Sequence, residues 1–345
     1  MARQESWPAG TEIAHQGEMC HRALVIQTGS IRLSRQVGAL QVPIALLGPG
    51  DILAAECLFD DPPLNYSAQV VIEATGLSVT PEEYQQAVEQ GTEWLQRVIR
   101  GGMSRERVAE RPVRSSVSTL YGIGILLYTF LRVRSDAETP IPQLALAPLL
   151  DELINTLPLS REFTYPVLSG LSHVGLIDLR LADPYSQSIE VPDENLLLGF
   201  LHFLQRASDM NTGILSGVGI QTPLKLPDPA SDLLDWFLTA PDYSERLFNP
   251  SRALVHLQID TIRAKIDEER AQPFDLDGAL TALEQLQVVK RMKDGDKMSL
   301  FLDLRALLRL NILRDPEANY IDIIEYLLEL MYESRFTQPH SSSFR

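Results

Sequence analysis

Only two cysteines, Cys20 and Cys57, occur in 345 residues. They form no CxxC pair and have no histidine cluster beside them, which excludes a structural zinc site or an iron–sulfur centre. So few thiols fit a reducing, cytoplasmic setting, with both cysteines as small buried apolar groups rather than redox switches. The six histidines include no HExxH and no i,i+4 pair, and His202 reads as a core residue. No GxSxG, P-loop or GxGxxG occurs, and the many carboxylates form no recognisable dyad or metal loop. The reading is a protein that is not an enzyme and needs no cofactor. No basic segment followed by a short apolar core marks a secretory signal. The longest apolar run, Val117–Val133, contains Gly122 and Gly124 and is marginal in length for a bilayer span. It reads as a buried helix, apolar almost all round, and not as a membrane segment.

Positive charge is also scarce. Thirty Lys and Arg face 46 Asp and Glu, a net charge of −16. The deficit is uneven: residues 91–134 carry eight basic and three acidic residues, whereas residues 135–216 carry three and eleven. DNA affinity rests largely on phosphate neutralisation by Lys and Arg, so the second segment is poorly charged for DNA.

Against these absences stands a dense β pattern at the N-terminus. Short apolar runs, at Thr11–His15, Ala23–Gln27, Ile31–Ser34, Val42–Leu47, Gln69–Ile72 and Leu77–Val79, are separated by Gly and Pro turn signals. Such spacing predicts an antiparallel jelly roll. Gly10, Gly17, Gly29, Gly38, Gly48 and Gly50 fall between the runs, where positive φ is tolerated. IAHQGEMCHRALVIQTGSIRLS, then ALLGPGDIL, then SAQVVIEAT resemble the cyclic-nucleotide-binding fold of the CRP/FNR regulator superfamily. The resemblance is good over about residues 8–110 and continues more weakly to about residue 205.

That resemblance implies a ligand cassette after Gly50-Asp51. Nucleotide-binding members supply a Gly-Glu pair, whose Glu accepts from the ribose hydroxyl, and an Arg that neutralises the cyclic phosphate. Here Ala54-Ala55 stands for Gly-Glu, with Glu56 displaced by one, and Tyr66, in Tyr66-Ser67-Ala68, stands for the Arg. A buried phosphate would lack its counter-charge, with Asp60 and Asp61 nearby. The residues predict a degenerate pocket at Glu56, Tyr66 and Ser67. The residues alone favour Glu56 as a helix-start carboxylate and Tyr66 as an aromatic plug over ligand roles. The pattern resembles the branch that lost cyclic-nucleotide binding, whose oxygen sensors need a four-cysteine cluster that this chain cannot build.

The next stretch is basic. Thr80-Pro81-Glu82-Glu83 predicts a capped helix start. Gly101-Gly102 and Pro112 predict a break in what the resemblance makes the long dimer helix. Arg97, Arg100, Arg105, Arg107, Arg111 and Arg114 lie within 18 residues. They form either a solvated face paired with Glu93, Glu106 and Glu110, or an anion site for a cyclic dinucleotide such as cyclic di-GMP or for an acidic protein. Subunit pairing along the apolar run that follows predicts a homodimer.

Pro142–Leu157 predicts one or two helices and Ser160 caps another. Gly175–Leu179, a turn at Asp183–Ser186 and a return at Ser188–Val191 complete a helix, helix, strand, turn, strand plan. SREFTYPVLSGLSHVGLIDL resembles the recognition helix and wing of the same superfamily, modified by Pro166 inside the helix. On that resemblance a DNA-binding transcription factor would use Ser160, Arg161, Glu162 and Thr164; the acidic surroundings favour a protein-interaction platform instead. The remaining chain reads as helices over Ser231–Thr239, Pro250–Glu269, Leu276–Lys293, Lys297–Leu313 and Tyr320–Tyr332, a module for a protein partner. The expected class is α+β, with an N-terminal β jelly roll of cyclic-nucleotide-binding type (residues 1–91), a hinge with dimer helices (92–134), a winged helix (135–215) and a C-terminal helical domain (216–345).

Overall fold

In the computed structural model the N-terminal apolar runs fuse into fewer, longer strands than their spacing predicts. The structure describes residues 3–37, 39–58, 63–90, 116–134, 143–157, 161–183, 186–208, 222–239, 254–269, 273–294 and 297–336. The runs on either side of Gly29 form one strand, β3 (Ala23–Val37), and the last two runs form another, β6 (Ser67–Val79). Gly29 is therefore not a hairpin turn. It sits inside β3 at φ +81°, where the register against β6 shifts, and a Cβ there would collide with the carbonyl oxygen of Glu73. This is a bulge that only glycine accommodates at such close backbone approach.

The architecture is α+β, with this N-terminal antiparallel β-sheet followed by several helices. The sheet runs β1 (Arg3–Trp7), β6, β3, β4 (Leu40–Leu47), with β2 (Glu12–Ala14) added to β6 and β5 (Ile52–Leu53) to β3. Its core is apolar and drawn from alternate positions, including Leu24, Ile26, Ile31, Leu33, Val42, Ile44, Ala68 and Val70. Helix α1 (Pro81–Gln90) starts as the sequence predicts. Glu83 N–H donates to Thr80 Oγ1 (3.3 Å) and Thr80 N–H donates to Glu83 Oε2 (3.2 Å), a reciprocal capping box.

The chain divides into two compact units. The first comprises Met1–Gly124, Leu204–Thr212 and Ile324–Arg345. The β-sheet thus shares its unit with the end of α5 (Glu194–Ser208) and with the second half of α10 (Pro316–Phe336). Arg32 pairs with Glu325 at 3.0 Å, and Arg35 donates to the carbonyl of Ala207 at 3.0 Å. The Tyr332 ring lies so near Gly48 that a Cβ there would meet it at 2.6 Å.

The second unit comprises Ile125–Phe203 and Gly213–Ile323. It contains one plan twice. Strand β7 (Gln143–Ala145), helices α3 (Leu146–Thr156) and α4 (Arg161–His173), then strands β8 (Asp178–Asp183) and β9 (Ser186–Glu190), make a sheet ordered β7-β9-β8. Strand β10 (Leu254–Gln258), helices α7 (Ile259–Glu269) and α8 (Leu276–Gln285), then strands β11 (Val289–Asp294) and β12 (Lys297–Asp303), make a sheet ordered β10-β12-β11. The second helix of each copy ends alike. Leu176 N–H donates to Leu171 O and Val288 N–H to Leu283 O, each at 3.0 Å, after a left-handed residue: Gly175 at φ +83° in one copy, Gln287 at φ +59° in the other.

This corrects the all-helical reading of the C-terminal region. Three of its five expected helices are in part strand: Leu254–Gln258, Val289–Asp294 and Lys297–Asp303. Likewise the segment from Pro142 begins with a strand. Helix α4 runs through Pro166 without ending there. The second copy shares its core with the preceding helix α6 (Asp228–Thr239): Leu233 and Phe237 of α6 cluster with Ile262, Leu280, Leu283, Leu300 and Leu302, all at most 1 % exposed.

Helix α2 (Ser116–Arg134) carries the long apolar run. By length and composition it could cross a membrane, and 44 % of that window is buried inside the chain. Val117, Leu120, Tyr121, Ile123, Ile125, Leu127 and Leu131 are all buried.

Candidate ligand-binding site

The cassette is built on a turn. Asp51 N–H donates to Gly48 O (3.0 Å), Gly48 N–H returns to Asp51 Oδ2 (2.9 Å), and Gly50 at φ +91° donates to Ile26 O (2.8 Å). The turn aims the two-residue strand β5 into a short 3-10 helix, Ala55–Leu58. Between them Ala54 adopts φ +58°. It is a left-handed conformation on a residue that carries a Cβ. A left-handed alanine costs about 1–2 kcal/mol, partly offset by the unfolded-state entropy a glycine brings. Ala54→Gly is therefore expected to raise the unfolding free energy by about 1 kcal/mol, read as a higher chemical-denaturation midpoint.

The three predicted pocket residues are placed as follows. Tyr66 is 6 % exposed, and its phenol donates to Glu56 Oε1 at 3.0 Å. Burial, and then the Glu56 charge, push the phenol far above its ordinary titration range, so it stays a donor. Glu56 and Tyr66 are thus bonded to each other. Ser67 accepts from Gln16 N–H at 3.0 Å.

Three arginines of the first unit have other partners. Arg22 is with Glu5 at 2.6 Å and Arg32 with Glu325, while Arg35 donates to the carbonyls of Asn65 and Ala207, each at 3.0 Å. A strap crosses the cassette from the other side. Gly17 N–H donates to Leu64 O, Leu64 N–H to Glu18 O, and Met19 bridges to Pro63.

The strap also carries Cys20, and the 3-10 helix carries Cys57. Both are buried, as the sequence predicts, but they are not free thiols: they form a disulfide with Cα atoms 5.4 Å apart. Sequence reasoning missed this because 37 residues separate them and a lone pair of cysteines has no spacing signature.

The other candidates are placed less fully. Arg97, Arg100, Arg105, Arg107, Arg111 and Arg114 lie outside the described residues, as does Ser160. Arg161 and Glu162 open α4. Thr164 is fully buried, so its hydroxyl faces the core and not a groove surface. Arg180, on β8, pairs with Glu190 at 2.9 Å. Among the described residues no group of His, Cys, Asp and Glu could hold a metal ion.

Comparison with known proteins agrees with the N-terminal fold. The cyclic nucleotide-binding domain family matches residues 4–90. No curated protein matches the chain. Among solved structures, the Thermus thermophilus catabolite activator protein is 24 % identical, covering 59 % of this chain and 91 % of its own, with a TM-score of 0.28. A cyclic nucleotide-binding-like protein from Brucella abortus is 25 % identical over 26 % of this chain and 77 % of its own, with a TM-score of 0.25. An EAL enzyme in a half-site-occupied form is 19 % identical over 32 % of this chain and all of its own, with a TM-score of 0.31. Residues 4–90 thus form a cyclic-nucleotide-binding-like domain.

Proposed function

We infer that the chain is a non-enzymatic regulatory protein whose cyclic-nucleotide-binding-like domain no longer takes a cyclic nucleotide in the ancestral manner. The observation that carries this reading is the Tyr66–Glu56 hydrogen bond at 3.0 Å. A cyclic phosphate entering that site meets a buried phenol and a carboxylate in place of a guanidinium, and burying an uncompensated anion is costly. The signal then enters elsewhere. The six arginines between residues 97 and 114 are the remaining concentration of positive charge, suited to a cyclic dinucleotide such as cyclic di-GMP or to an acidic protein partner. The two strand–helix–helix–strand–strand copies read as winged helices. Their use as protein-interaction platforms is favoured by the burial of Thr164 and by the pairing of Arg180 with Glu190.

Isothermal titration of the full chain with cyclic AMP, cyclic GMP and cyclic di-GMP tests this. No saturable heat is expected from the two mononucleotides at up to about 1 mM, where even a binding free energy of about 4 kcal/mol would register. Micromolar cyclic AMP binding that is lost in Glu56→Ala would sink the proposal. Cyclic di-GMP binding is expected to fall at least tenfold in the Arg107→Ala, Arg111→Ala double variant.

A further inference from the structure

The one-turn helix Ala55–Leu58 is held by two side chains adjacent in sequence. Glu56 accepts from the Tyr66 phenol at 3.0 Å, and Cys57 is bonded to Cys20. One tie is a hydrogen bond and the other is covalent. Both cysteines of the sequence are in that bond, so no free thiol competes for it.

Local conformation does little to keep this helix in place. It is entered through Ala54 at φ +58°, an unfavourable backbone for a residue with a Cβ. A single 3-10 turn has poor hydrogen-bond geometry, and here Cys57 N–H donates to Ala54 O at 3.1 Å. The strap on the other side of the bond has backbone partners of its own. Gly17 N–H donates to Leu64 O at 2.7 Å, Leu64 N–H donates to Glu18 O at 2.8 Å, and Met19 bridges to Pro63. The disulfide therefore joins a strap with several backbone ties to a helix with few. The net value of one charge-assisted hydrogen bond is of the same order as the cost of one left-handed alanine. Without the covalent tie, the Glu56 bond and burial of one small side chain stand against the strain at Ala54. Open and closed forms of the helix then lie close in free energy.

We propose that the Cys20–Cys57 pair is a redox switch that sets the state of the Glu56–Tyr66 cassette. A dithiol supplies two electrons and two protons by thiol–disulfide exchange. The sulfur–sulfur bond breaks through a mixed disulfide, two thiols form, and the donor leaves as its own disulfide. Cys20 and Cys57 are 2 % and 0 % exposed, so exchange follows a local opening of the helix. The Arg22 carbonyl, 4.0 Å from Cys20 Sγ, is in place to accept from the thiol formed there. Reduction frees the helix and parts Glu56 from Tyr66 in a share of the molecules; reoxidation pins it again. The input is independent of the arginines between residues 97 and 114.

Fluorine NMR of the full chain labelled with 3-fluorotyrosine tests this, with Tyr66→Phe assigning its signal among ten tyrosines. The native chain is treated with excess dithiothreitol while thiols are counted in parallel. Two thiols per chain are expected, with circular dichroism unchanged. The Tyr66 signal is expected to move, and to return when oxidised glutathione restores the bond. Amide exchange over the helix should speed up by about tenfold or more on reduction. Cys57→Ser in oxidising buffer should show the reduced position of the Tyr66 signal. A bond that dithiothreitol breaks only in denaturant would make the disulfide a structural staple and overturn the proposal. So would two native thiols with the Tyr66 signal and the exchange rate both unmoved. Loss of circular dichroism on reduction would overturn it as well, because the whole unit and not the cassette would then respond.

Discussion

Asp178→Ala is expected to lower the unfolding free energy of the second unit by about 3–5 kcal/mol. Asp178 opens β8 and is 3 % exposed. Its Oδ1 lies 2.8 Å from Arg305 Nη1 and 3.5 Å from Arg309 Nη1, on two largely buried guanidiniums of α9 (Leu304–Arg314). Arg180 approaches its other oxygen at 3.9 Å from a more exposed position. Removing the carboxylate leaves two buried cations facing each other, so the loss comes from the uncompensated charges more than from the contacts themselves. Asp178→Asn should lose nearly as much, because shape is kept and charge is not. Asp178→Leu combined with Arg305→Leu should recover part of the loss, since a well-packed apolar replacement of a buried ion pair is often neutral. Urea denaturation followed by tryptophan fluorescence reads all three variants. An Asp178→Ala protein as stable as the parent would mean that water reaches the cluster.

The second large effect is expected at the disulfide. Closing a loop across 37 residues of separation restricts the unfolded chain by about 4 kcal/mol on the chain-entropy account. Cys20→Ser with Cys57→Ser should lower the stability of the first unit by roughly that amount, and reduction of the parent by excess dithiol should do the same. A thiol count in denaturant without reductant should find none. Two titratable thiols, or a double variant of unchanged stability, would contradict the bond. The position of the bond gives the loss a local consequence. Cys57 is the residue after Glu56, so freeing it loosens the 3-10 helix that presents the carboxylate to Tyr66.

Much of the first unit was legible in the residues. Turn glycines and short alternating runs marked the strands, and Thr80 with Glu83 marked a helix start that the hydrogen bonds reproduce. The missing guanidinium at Tyr66 was legible too, because it is a statement about charge and needs no geometry. What composition could not tell was that Tyr66 and Glu56 would satisfy each other.

The second small sheet was missed for a local reason. In the first copy Gly175 announces the left-handed residue that ends the helix. In the second copy Gln287 takes that conformation without glycine. Leu276–Lys293 therefore reads as unbroken helical periodicity, and the change to strand at Val289 carries no punctuation. The same holds at Gln258–Ile259, where β10 passes directly into α7 with no turn residue between them. Short apolar runs are ambiguous between the two periods when Gly and Pro are absent.

The β-roll, finally, is not a cassette that can be excised by cutting the chain after residue 90. Its Gly48–Asp51 turn lies against Tyr332, Arg32 holds Glu325, and Arg35 closes the last turn of α5 at Ala207. The first unit is complete only when segments more than a hundred residues downstream have been synthesised. During translation the sheet is synthesised well before the segments that complete its unit. A nascent chain halted before Ile324 would carry the sheet with that flank uncovered.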